Sequence, residues 1–158
     1  MPTLTDSSSR AAASALSDEL VRQSSAASGP LKFNATQSSC AATRVVSAVG
    51  ADKLRTYGLL SNAYRPTSKT LDDVTMSKAD ATSVVDAFID CLGASTFTRY
   101  LADAVTSSVQ GANTASQRTC LQDKLTVTAL KPMLINTLSG DKQAATQFYA
   151  GLLTCTKS

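Results

Sequence analysis

Four cysteines, Cys40, Cys91, Cys120 and Cys155, constrain this chain more than any other feature, because no two of them form a C-x-x-C pair. That spacing argues against a zinc knuckle or a thioredoxin-like redox pair and favours structural disulfides. Sequence alone permits three connectivities, so the flanking residues have to choose. Asn34-Ala-Thr-Gln37-Ser-Ser-Cys40 and Thr114-Ala-Ser-Gln117-Arg-Thr-Cys120 match position by position. In each, Asn34 or Thr114 is followed three residues later by Gln, the spacing of a capping box at a helix start. Each of these cysteines therefore sits in the second turn of a helix.

The other two cysteines follow large apolar residues at helical spacing. Val84, Phe88 and Cys91 share one helix face, as do Phe148, Leu152 and Cys155, which places each cysteine near a helix C-terminus. Ser77 with Asp80 supplies a cap for the first of these helices, and Gly93 a stop. An early-helix sulfur meets a late-helix sulfur when two helices pack antiparallel. The expected pairs are Cys40 with Cys91 and Cys120 with Cys155. Such bonds call for an oxidising compartment.

The expected fold is all-α: a helical bundle made of two related disulfide-closed helical units. Residues 1–15 read as a disordered lead or stalk, 16–93 as the first unit and 94–158 as the second, the two packed as one globule. The first unit is expected to hold a helix near Leu16 to Ala27, a break at Gly29-Pro30, and a helix from about Ala35 to Val49 with Ala41, Val45, Ala48 and Val49 on one side. A shorter helix follows from Asp52 to about Leu60 with Leu54 and Tyr57 inward. Asn62 to Thr75 reads as a surface insertion. The second unit repeats the order, with Phe97, Leu101, Val105 and Val109 on one helix face, Leu121 and Leu125 beside Cys120, and a break before Pro132.

Composition bears on function mainly by exclusion. The 158 residues contain no histidine, which removes the usual general base near neutral pH and the commonest zinc ligand. Ser-His-Asp and Cys-His chemistries are thereby excluded. The hydrophobic fraction of 43% is carried by Ala, Val and Leu, with 5% aromatic residues and no Trp, which suits closely approaching helices. The net charge of +3 comes from fifteen basic and twelve acidic residues scattered along the chain, without the basic stripe that grips nucleic acid. No apolar run approaches the ~20 residues of a membrane helix.

Candidate chemistry is sparse. Ser139-Gly-Asp-Lys142 has the Ser-x-x-Lys spacing of some acyl enzymes, yet reads better as a turn and helix N-cap. Asp86 and Asp90 stand one helical turn apart, and with Asp72, Asp73 and Asp80 they could act as acid and base or ligate a cation; their place opposite the apolar face marks them instead as solvated. Asn34-Ala-Thr36 fits a glycosylation sequon but coincides with a helix cap. No catalytic residue, metal site or cofactor is expected. The aromatics Tyr57, Tyr64, Phe88, Phe97, Tyr100, Phe148 and Tyr149 could line an apolar ligand cavity, though core packing explains most of them. Among these, Tyr57, Tyr64, Tyr100 and Tyr149 are carried as ligand-binding candidates.

The string Cys40-Ala-Ala-Thr-Arg-Val-Val-Ser-Ala-Val-Gly50-Ala-Asp-Lys-Leu54, with Ala81-Thr-Ser-Val-Val-Asp86-Ala-Phe-Ile-Asp90-Cys91, resembles small exported actinobacterial helical domains with paired cysteines. The resemblance covers much of the first unit and the skeleton of the second. It implies a bacterial, exported protein with paired disulfides and points to no activity. Residues and resemblance together lead to the expectation of a non-catalytic module, secreted or extracytoplasmic and anchored, if at all, through a removed N-terminal signal, that binds a protein or cell-envelope component. A carrier of a small apolar ligand or lipid between helices is the second expectation, and a carboxylate-dependent hydrolase the third.

Overall fold

A computed structural model of the chain describes residues 2–25, 31–108 and 114–156, apart from the side chains at 72 and 106–108. The fold is all-α. Its helices are α1 (Ser7–Ser25), α2 (Ala35–Val49), α3 (Ala51–Thr56), α4 (Lys78–Leu92), α5 (Ala94–Ser108), α6 (Ala115–Lys124), α7 (Val127–Leu138) and α8 (Ala144–Leu153), with 3₁₀ turns at Leu71–Asp73 and Thr154–Thr156. Among the described residues there is no strand.

The helix boundaries follow from local chemistry. Asn34 caps α2 by accepting from the Gln37 N–H at 2.8 Å, while the Gln37 side chain accepts from the Asn34 N–H at 3.0 Å. Thr114 and Gln117 repeat this reciprocal pair at the start of α6. Ser77 accepts from the Asp80 N–H and opens α4. Gly50 and Gly93, at φ 97° and 87°, end α2 and α4 in backbone conformations that side-chain-bearing residues rarely adopt.

Both disulfides have the expected connectivity. Cys40 in the second turn of α2 joins Cys91 in the last turn of α4, with Cα atoms 5.8 Å apart. Cys120 of α6 joins Cys155, which stands just past α8 in the terminal 3₁₀ turn, at 5.6 Å.

Three expectations need correction. From Ser7 onward the expected lead belongs to the fold: α1 begins at Ser7, where Asp6 accepts from the Ser9 N–H at 2.8 Å. The small side chains of Ala12 and Ala13 are buried, allowing α1 to run close along α2. Pro132 lies inside α7 rather than after a break; the break falls at Leu125, and Thr126 caps the new helix. Ala48 is exposed, and Ala42 and Val46 take the inward positions on α2. The Gly29-Pro30 break, Ala27 and Val109 lie outside the described residues.

The larger apolar cluster is built on α1, α2 and α4, and it does not stop at Gly93: Phe97 of α5 and Ile135 and Leu138 of α7 belong to it. A smaller cluster of Leu121, Leu125, Leu130, Leu152 and Cys155 surrounds the second disulfide. The stretch expected as a surface insertion, Asn62 to Thr75, is a strap that is largely exposed but buries Val74, and Met76 directly after it is buried and donates its N–H to the Leu138 carbonyl at 2.8 Å.

Candidate functional site

The chemically suggestive residues do not converge. Asp86 and Asp90 form ion pairs with Lys131 (2.5 Å) and Arg44 (3.1 Å), and all four side chains are substantially exposed. Such pairs contribute at most about 1 kcal/mol each. Ser139 is the C-cap of α7 rather than an N-cap, and its hydroxyl donates to the Asn136 carbonyl; Lys142 is exposed. Asp73 accepts from the backbone and hydroxyl of Thr70, and the Asp72 side chain lies outside what is described. No group of three His, Cys, Asp or Glu among the described residues is placed to hold a metal ion.

Asp80 is different, because it is a buried carboxylate. The Tyr57 hydroxyl donates to it at 2.6 Å, Lys53 approaches to 3.3 Å, and the Tyr57 oxygen in turn accepts from the Ser77 N–H. The network ties the end of α3 to the start of α4. Hydrogen bonding from Tyr57 outweighs burial, and Ser77 and Lys53 add to it, holding the carboxyl below its ordinary range. A carboxyl whose folded pKa is depressed contributes stability above its unfolded pKa of about 3.9, and that contribution vanishes as pH falls through the folded value. Asp80→Asn should therefore destabilise the protein at pH 7, by about 1–3 kcal/mol for a buried charged hydrogen-bond acceptor. The gap between variant and wild type should close at pH values below 4. Urea unfolding of both proteins across pH 2–8 checks this, and a pH-independent gap would contradict the assignment.

An apolar concavity lies elsewhere. A cavity of about 210 Å³ opens between α1, α4, α5 and α7, with Leu31, Phe33, Phe88, Phe97, Leu101 and Leu134 prominent in its lining. Phe33 precedes the cap of α2 and meets Phe88 edge to face, ring centroids 5.3 Å apart. A second, narrower cavity of about 40 Å³ reaches inward between Leu54, Val45 and Val84. Leu20, Gln23, Thr70, Leu71 and Phe88 line both, so the two chambers share a wall. Two polar side chains of the lining are bonded within their own helices: Gln23 donates to Glu19 at 2.9 Å, and the Thr137 hydroxyl to the Met133 carbonyl at 2.8 Å.

The four tyrosines singled out from the sequence do not line these chambers. Tyr57 serves the Asp80 network; Tyr64 donates to Asp52 and lies under the Arg55 guanidinium. Tyr100 carries Arg99 over its ring, and Tyr149 packs against the smaller cluster. Phe88 and Phe97, also considered from the sequence, do line the larger chamber. Leu31, Phe33 and Leu134 were missed, although an aromatic just before an N-cap, as Phe33 is, marks a position that packs under the following helix.

No protein-family model matches the chain, and neither a curated protein nor a solved structure is significantly similar to it.

Proposed function

We propose that this chain is a non-catalytic extracytoplasmic protein that holds a small apolar ligand between its helices. The 210 Å³ chamber carries the reading. An apolar cavity of ~150 Å³ suffices to bind a ring the size of benzene, whereas drug-sized ligands occupy roughly 300–1,000 Å³, so the ligand here is small. Two disulfides support an extracytoplasmic setting, and no helix among the described residues is long and apolar enough to cross a membrane. Docking of a protein partner through an apolar surface draws less support, since Val21 is the exposed large hydrophobic among the described residues.

Thermal denaturation with the neutral linear probe decanol tests the reading. At a hundredfold excess over its dissociation constant a ligand contributes about 2.7 kcal/mol, which for a domain of this size raises Tm by about 5–10 °C. Leu134→Trp, which fills the chamber, should abolish the rise. If decanol leaves the wild-type Tm unchanged up to its solubility limit, the proposal fails.

A further inference from the structure

Resting on that reading, we propose that the ligand is a linear medium-chain carboxylic acid whose carboxylate is held by Lys69 at the mouth of the narrow chamber while its chain passes Leu71 into the wide one. The two chambers are lined in common by Leu20, Gln23, Thr70, Leu71 and Phe88, so a guest reaching from one into the other has to be long and narrow. A flexible chain meets that demand; a fused ring does not.

The charges fix the orientation. Glu19 and Lys69 are the ionisable groups lining the narrow chamber, and none lines the wide one. Glu19 is already engaged by Arg22 and Gln23. Asp73, nearby on the strap, is taken by the N–H and hydroxyl of Thr70. Lys69 has no ion-pair partner among the described residues, and its stem lies over Gly58, its Cδ and Nζ 3.1 and 3.3 Å from where a Cβ on Gly58 would stand. Gly58, at φ 85°, thus leaves the room that the Lys69 side chain occupies. Lys69 is thus the cation of this lining without an ion-pair partner among the described residues, which matches an amphiphile with an anionic head.

The volume sets the chain length. At roughly 30 Å³ for a water-sized group in a liquid, 210 Å³ takes about seven methylenes, and the narrow chamber adds one or two. Acids of roughly eight to ten carbons fill the two chambers.

Calorimetric titration of the wild type with hexanoate, octanoate, decanoate and dodecanoate, each below its micellar concentration, tests this alongside decanol. Affinity should rise about fourfold per added methylene up to eight to ten carbons and then level off. Lys69→Met should weaken decanoate about fivefold, leave decanol unchanged, and be rescued by Lys69→Arg. Lys69 is exposed, so the variant should keep the wild-type Tm. Equal binding of decanoate and decanol, with no effect of Lys69→Met on either, would overturn the anionic head while leaving the apolar chamber standing. Affinity that climbs undiminished through dodecanoate, or naphthalene displacing decanoate, would overturn the medium linear chain. Binding of neither probe would overturn both this inference and the reading beneath it. Sedimentation with phosphatidylglycerol vesicles separates a free acid from a membrane headgroup: the protein should stay in the supernatant, and Lys69-dependent pelleting would contradict the proposal.

Discussion

Replacing Cys40 and Cys91 together by alanine should lower the melting temperature by about 10–15 °C. The bond spans 51 residues and joins the second turn of α2 to the last turn of α4. In the chain-entropy account, closing a loop of that size restricts the unfolded ensemble by about 4 kcal/mol. At about 2–4 °C per kcal/mol for a chain of this length, the stated shift follows. The substitution also loosens the frame that positions Phe88 and Val84, which line the cavities, so decanol binding should weaken with it. Circular dichroism of the oxidised wild type and the double variant measures the effect. Unchanged melting would mean that α2 and α4 are held without the bond.

Phe97→Ala should destabilise the protein by about 4 kcal/mol, the range found when a fully buried phenylalanine is truncated and its neighbours only partly collapse. Phe97 has no exposed surface, and it links α5 to the cluster formed by α1, α2 and α4. It also stands in the wall of the larger chamber, so the truncation enlarges that space. Urea unfolding should show a lower midpoint with an unchanged slope, whereas Val21→Ala at an exposed site should fall within about 0.5 kcal/mol of wild type. A cost below about 1 kcal/mol for Phe97→Ala would show that α5 is not seated as described.

Local chemistry made much of this fold legible in the sequence. The capping boxes at Asn34 and Thr114, the Ser77 cap and the stop at Gly93 are short-range signals, and they placed Cys40, Cys91 and Cys120 on their helices, whereas Cys155 stands just past α8. Once the cysteines were placed at opposite helix ends, the pairing followed. What escaped detection depends on tertiary partners. The first turns of α1 are rich in Ser and Ala, and Ala12 is buried because α2 runs close beside it, not because it is large. Thr126 caps α7 without the Glu or Gln that marks a capping box, so Pro132 drew attention to the wrong place.

The cavity was the least legible part. Leu31 and Phe33 come from the segment before α2, Leu71 from the strap, Leu101 from α5 and Leu134 from α7, so no single helical stripe contains the site. Tyrosines drew attention as amphipathic ring systems, yet the fold uses Tyr57 to satisfy a buried carboxylate and Tyr64 to pair with Asp52. The likeness between the two halves is clear at Cys40 and Cys120, but two related units are not established by it. Phe97, Ile135 and Leu138, all from the second half, complete the core of the first.

The central claim is that an apolar guest sits inside the bundle, and intermolecular nuclear Overhauser effects between decanoate and the methyl-labelled protein test it most directly. The account predicts contacts from the ligand chain to the methyls of Leu31, Leu101 and Leu134. Contacts confined to the exposed Val21, or no contacts at saturating decanoate, would contradict it.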